Sequence, residues 1–221
     1  MSRPGGDGGL VTLSDGLVVL RPWSREDAPF MAAASADPAV RRYNGPHDRL
    51  GRPTPPPSIL ETEAAIDQFV LGWQAFATTG NPRGTAFAII DAASGGLVGC
   101  CGVDGWTDDD VVQFGYWIAD GARRRGYATR AVVLMTRWLF DLGAARAFLT
   151  IVADNEGSVA VARRAGFVHE GTMRAHTVWQ GERYDVLLYA ALPLDDGGSD
   201  EGDGGGSHAD SVANEPRPER P

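Results

Sequence analysis

The 221-residue sequence contains no lysine; all 20 basic residues are arginine, a bias we attribute to GC-rich coding. A G-x-x-x-x-G-K-[ST] phosphate loop is therefore excluded, and no G-x-G-x-x-G follows a strand-like run to suggest a dinucleotide site. Cysteine is nearly as scarce. Cys100 and Cys101 are neighbours, and neighbours on a strand point to opposite faces, so a bridge between them is not expected and both read as small buried hydrophobes. No His or Cys cluster has metal-ligand spacing, so no metal is expected. No apolar run approaches the roughly 18 to 20 residues that a membrane helix needs, and residues 1–9 lack the apolar core of a signal peptide. The expectation is a cytoplasmic protein without a membrane partner. A net charge of −9 argues equally against a nucleic-acid partner.

The acidity is uneven. Beyond residue 194, 8 acidic residues stand against 2 basic ones, among Gly, Ser and Pro and almost no large apolar side chains. Such a segment buries too little surface to offset its ordering entropy. The expected organisation is a flexible stretch 1–9, one folded domain 10–194, and a disordered, acidic, Gly-rich tail 195–221.

Within the domain the hydrophobic periodicity alternates. Leu17–Leu20 reads as a strand, Ser24 as the cap of a helix through Ala34, and Asp37-Pro38 as the start of a second helix ending near Tyr43. Residues 44–58 hold five prolines and two glycines and read as a loop. Ala65, Phe69, Trp73 and Phe76 recur at helical spacing within a helix over 61–79. Strands are expected over 85–90, 97–103 and 111–118, with Asp104 to Asp110 as a connection. A helix over 127–142 stopped by Gly143, a strand over 147–152 and a short helix over 158–165 ended by Gly166 follow. Two last strands, 167–178 and 184–192, flank Gln180-Gly181. This order predicts an α+β domain built on a mixed sheet.

One stretch carries chemistry. The strand ending Gly115-Tyr116-Trp117-Ile118 turns into Arg123-Arg124-Arg125-Gly126-Tyr127-Ala128-Thr129, which opens the long helix. A helix start leaves several N–H groups without intrahelical partners and carries partial positive charge. Gly126 lets the backbone approach a ligand, and three consecutive arginines add Coulombic attraction. The element reads as an anion site suited to a pyrophosphate, or else as a solvated basic helix start.

Arg123, Gly126 and Ala128 resemble the R-x-x-G-x-A signature of the GNAT acetyltransferases. Further matches lie in order along the chain. Leu20-Arg21-Pro22-Trp23, Glu26-Asp27 and Asp37 to Val40 are similar to the family's opening strand and paired helices. Asp154-Asn155 with Ser158, then Gly166-Phe167 and Glu170-Gly171, are similar to its central segment. Gly181, Asp185 and Tyr189 keep the spacing of its last hairpin. The resemblance spans the folded region and points to the RimJ/RimL-type branch.

It implies the GNAT (acyl-CoA N-acyltransferase) fold: a mostly antiparallel sheet with a splayed parallel strand pair, here 111–118 and 147–152, flanked by helices. It further implies acetyl-CoA as donor, with Trp117 and Ile118 bonding the pantetheine arm and Arg123 to Thr129 cradling the phosphates. A neutral primary amine attacks the thioester directly in a ternary complex, the acceptor being a protein N-terminus or a small molecule such as a polyamine or aminoglycoside-like antibiotic. Ser158 is the expected proton donor to the leaving thiolate and Asn155 positions cofactor or substrate amide groups, both counting as cofactor-binding residues too, although both residue types also cap helices. Tyr116 is a further catalytic candidate or a wall of the acyl pocket. A homodimer is compatible with the resemblance.

The chain departs from the family at Gln113, where a Glu base is common; an amide cannot take that proton. His176, Asp185, Tyr116 and the run Asp108 to Asp110 are the other base candidates. An α-amine, with a pKa of about 7.7 to 8.0, needs less help than a lysine-like amine at about 10.4. Two alternatives remain open: an acyl-CoA-binding sensor or assembly module without turnover, and an enzyme using another acyl-CoA. Arg41, Arg42 and Tyr43 precede the Pro-rich loop, which reads as a substrate lid.

Overall fold

The computed structural model describes residues 11–193; the expected flexible stretch 1–9 and acidic tail 195–221 lie outside the described residues. In chain order the elements are β1 (Leu13–Ser14), β2 (Val18–Pro22), a 3-10 turn (Arg25–Asp27) feeding α1 (Ala28–Ser35), α2 (Pro38–Tyr43) and α3 (Ile59–Thr79). Then come β3 (Ala86–Asp91), β4 (Leu97–Trp106), β5 (Val111–Ile118), α4 (Tyr127–Asp141), β6 (Arg146–Val152), α5 (Glu156–Arg164), β7 (Val168–Trp179) and β8 (Glu182–Ala191). The strands form one sheet ordered β1-β2-β3-β4-β5-β6-β8-β7. Each neighbouring pair is antiparallel except β5 and β6.

Alternation along the strands divides the core between the two faces. Leu20, Phe87, Ile89, Cys101, Val112 and Phe114 pack with Ala131, Val132, Met135 and Leu139 of α4. Ala86, Ala88, Ile90 and Cys100 pack with Trp23, with Ala28 and Met31 of α1, and with Ile66 of α3. The adjacent thiols are free, buried and divided between these two layers, as expected. Full burial of each large apolar side chain, Phe87 or Phe114 for example, contributes about 1.5–3 kcal/mol.

Several differences from the sequence reading have local causes. The two-residue β1 is too short to show any alternation. The helix expected at Ser24 begins with a 3-10 turn, and α5 begins at Glu156 because Asn155, not a later residue, is its cap. β4 extends to Trp106, past the expected end at Val103, because a bulge between Val103 and Gly105 absorbs Asp104 and lets pairing with β5 resume.

The parallel pair positions the site. β5 and β6 pair at Val111↔Arg146, Val112↔Ala147 and Gln113↔Phe148. Beyond that point β5 stays with β4 through Ile118, and β6 stays with β8 through Val152. The sheet therefore opens as a V. At its crotch the Gln113 Nε2 donates to Thr150 Oγ1 at 3.2 Å, an amide strut between the diverging strands.

Candidate active site

Helix α4 begins beside the open end of the V. Its N-cap is Gly126, with φ 85° and no side-chain capping bond. Among the described residues, apart from its chain neighbours, nothing lies within 4 Å of a Cβ built at Gly126. The glycine is thus demanded by its left-handed backbone rather than by crowding. Arg124 is also left-handed, at φ 61°. The first-turn N–H groups of Tyr127, Ala128 and Thr129 lack intrahelical partners, and these residues line a groove of about 590 Å³.

The groove runs between this turn, α2, the end of β5 and α5. Tyr116, Trp117, Ile118, Arg123, Arg124, Gly126, Asn155 and Ser158 line it as well. Of the residues expected at the donor site, Arg125 does not line it. Arg123 does, but not as a free cation: its guanidinium donates to the Ile118 carbonyl at 3.0 Å, to Asp120 at 3.1 Å and to Asp37. It clamps the end of β5 to the N-cap of α2. Burial opposes ionisation of Asp37, yet the Val40 N–H and Arg123 together hold its carboxyl below the usual range. Of the three arginines, Arg123 and Arg124 line the groove, Arg123 with its guanidinium already paired, and Arg164 from α5 lines it as well. Arg164 was missed, although Ser158, Val161 and Arg164 recur every three residues on one helix face.

On α5 the Asn155 Oδ1 accepts from the Ser158 N–H at 3.1 Å, so the capping role holds while both residues also face the groove. Ser158 stands beside the Tyr116 phenol. The Tyr116 Oη is buried and has no well-formed hydrogen bond. Burial pushes its pKa up to about 12, with the nearby Ser158 hydroxyl partly opposing. At neutral pH the phenol is protonated and can donate, which removes it from the base candidates.

The other base candidates lie elsewhere. Asp185 accepts from the Ala175 N–H at 2.8 Å and supports the bulge of β7, where His176 is exposed. Asp110 accepts from Trp106 Nε1 at 2.9 Å in the exposed turn that also holds Asp108 and Asp109. None of these residues lines the groove.

The Pro-rich loop is anchored at two points. Gln180 and Gly181 of the β7–β8 turn donate backbone bonds to Gly51 and Leu50 at 2.9 and 2.7 Å. Arg42 stacks between the rings of Tyr43 and Tyr184, 5.3 and 5.1 Å from their centroids, and pairs with Asp154. Tyr43 and Asn44 at its start form one wall of the groove. Among the described residues no group of His, Cys, Asp or Glu could hold a metal, and no helix is long and apolar enough to cross a membrane.

A mostly antiparallel sheet whose one parallel pair splays beside an uncapped helix N-terminus is the architecture of the acyl-CoA N-acyltransferases. Residues 18–168 match the model of the acetyltransferase (GNAT) domain, and the chain belongs to that family. No curated protein matches it significantly in sequence. Among solved structures it is similar to Mycobacterium smegmatis RimJ in complex with CoA-disulfide, at TM-score 0.66 and 22% identity over 86% of this chain and 90% of that one. It is also similar to RimL, a ribosomal α-N-protein acetyltransferase in complex with CoA, at TM-score 0.67 and 19% identity over 83% and 98%. A third similar structure is the microcin self-immunity acetyltransferase MccE in complex with acetyl-CoA and AMP, at TM-score 0.67 and 18% identity over 81% and 93%. At these identities the likeness shows the fold.

Proposed function

We propose that this protein transfers the acetyl group of acetyl-CoA to a primary amine, and that the acceptor is an α-amine of the kind named for RimL. One observation carries the reading. The uncapped start of α4, Tyr116 and Ser158 line the same groove, next to the V of β5 and β6, and the buried Tyr116 Oη sits beside Ser158. Acetyl-CoA is here a substrate, and the residues present fit it. The N–H groups of Tyr127 to Thr129, with Arg124 and Arg164, suit its phosphates. Beyond Gln113, the edge of β5 that faces the V has no strand partner and suits an amide-bearing arm, with Trp117 and Ile118 at its end. Tyr116 and Ser158 supply hydroxyl donors where a thiolate would leave. The α-amine preference follows from Gln113, since an amine of pKa about 7.7 to 8.0 arrives partly neutral near pH 7.

Calorimetry with acetyl-CoA, followed by release of free thiol in the presence of peptides, polyamines and aminoglycosides, tests the proposal. Binding with turnover on an α-amine is the expected result. Binding without turnover on any amine would favour a sensor, and absence of binding would end both readings.

A further inference from the structure

The reaction so read lacks a proton acceptor, because Gln113 is an amide tied to Thr150 and the other candidates lie away from the groove. The bulge of β4 supplies a carboxylate. Register pairs Cys100 with Trp117 and Gly102 with Gly115, and Asp104, the bulge residue that follows, sets its carboxyl against Gly115 on the face that Gln113, Gly115 and Trp117 share on β5. The Asp104 Oδ2 lies 3.2 Å from where a Cβ on Gly115 would stand. On β5, Gly115 alone separates Gln113 from Trp117 on this face, and Trp117 lines the donor groove. Asp104 does not itself line the groove; two residues of strand, about 7 Å and bare of side chain at Gly115, separate its carboxylate from Trp117. Asp104 is exposed, unlike Asp37, and has no hydrogen-bond or ion-pair partner among the described residues.

We propose that Asp104 is the base that accepts the proton of the acceptor ammonium, the role moving one strand over from the position held by Gln113. The inference rests on the acetyl-transfer reading. The ammonium gives one proton to the Asp104 carboxylate, which passes it to solvent. The neutral nitrogen then attacks the thioester carbonyl; the C–N bond forms and the C–S bond breaks. The second nitrogen proton is balanced by protonation of the departing thiolate, with Tyr116 and Ser158 as the adjacent donors.

The surroundings make Asp104 a stronger proton acceptor than an ordinary carboxylate. Burial pushes the Asp104 carboxyl above the usual range even though solvent reaches it, and no cation opposes the shift. β5 presents Gln113, Gly115 and Trp117 on this face, β3 presents Ala86, and β6 presents Thr150 across the splay; none of these titrates. The ionisable groups coupled to Asp104 are the thiols of Cys100 and Cys101 on its own strand, which burial keeps neutral. The base is active above its own pKa and is lost as pH falls through it.

The test compares the full-length wild type with Asp104→Asn and Asp104→Glu, using an Ala-initiated peptide as acceptor from pH 5.5 to 9.5, with calorimetry for acetyl-CoA and thermal melting as controls. For Asp104→Asn we expect unchanged acetyl-CoA binding and a kcat/KM about 10²-fold lower at pH 6. Its deficit should narrow toward pH 9, because the rate then follows the fraction of free amine, and Asp104→Glu should recover part of the loss. A wild-type-like pH profile in Asp104→Asn, or equal loss at every pH, overturns the inference alone. A wild type that binds acetyl-CoA but acetylates no amine overturns the acetyl-transfer reading and this inference with it.

Discussion

Tyr116 and Ser158 are the residues whose removal should separate chemistry from binding. Neither is among the groups proposed to hold the phosphates, so Tyr116→Phe and Ser158→Ala are each expected to lower kcat about 10- to 10²-fold while calorimetry shows unchanged affinity for acetyl-CoA. A parallel loss of affinity would make them donor-binding residues instead. Asp104 has a signature in stability as well. Its carboxyl is raised in the folded protein, so the folded state holds that proton more tightly than the unfolded one. Stability therefore falls as pH rises from the unfolded value of about 3.9 through the raised folded value. Asp104→Asn should melt at or above the wild-type temperature at pH 7, and the difference should vanish at pH 3. Arg123 behaves oppositely. Its bonds to Ile118, Asp120 and Asp37 hold the turn in place, so Arg123→Ala is expected to cost about 2 kcal/mol, read as a lower Tm, whereas Arg125→Ala leaves the Tm unchanged.

Among the elements, two glycines show different constraints. Gly126 has open space around it but a φ of 85°, so Gly126→Ala should cost about 1–2 kcal/mol from backbone strain and weaken acetyl-CoA binding, as calorimetry would show. At Gly51 a Cβ would stand 2.3 Å from the Val178 carbonyl. Gly51→Ala should release the Pro-rich loop from the β7–β8 turn and make residues 44–58 the first site of limited proteolysis. Elements with strong local signals were legible in the sequence. α2 has its expected bounds because Asp37 caps it and Pro38 starts it, and β5 coincides with its apolar run. The end of β4 was not legible, since a bulge breaks strict alternation and made Asp104-Gly105 look like a turn.

For the whole molecule, the order of elements could be read from periodicity, but the strand order could not. The placement of β8 between β6 and β7 depends on pairings between distant segments that leave no local trace. The proposed donor side could be suggested from sequence because Arg123 to Thr129 is a contiguous stretch opening a helix, a local pattern that suits an anion. Its other walls are assembled from α2 and α5, which is why Arg164 escaped notice and Tyr43 was read only as the approach to a lid. The acceptor side depends on the sheet face that β4 and β5 share, and Asp104 could be assigned to it only once the register was known. Apart from that face, the Gln113–Thr150 strut shows what the amide does in place of a carboxylate: it joins the two strands where they part.

The adjacent thiols on opposite faces of β4 have a practical consequence. Each is sealed in a different half of the interior, and burial raises the pKa of Cys100 to about 12 and that of Cys101 well above its ordinary value. A disulfide reagent such as Ellman's should therefore find both sulfurs silent in the intact molecule. Labelling then requires an opening that exposes both layers, so the two sulfurs should react together, at a rate that clocks the concerted melting of the central strands.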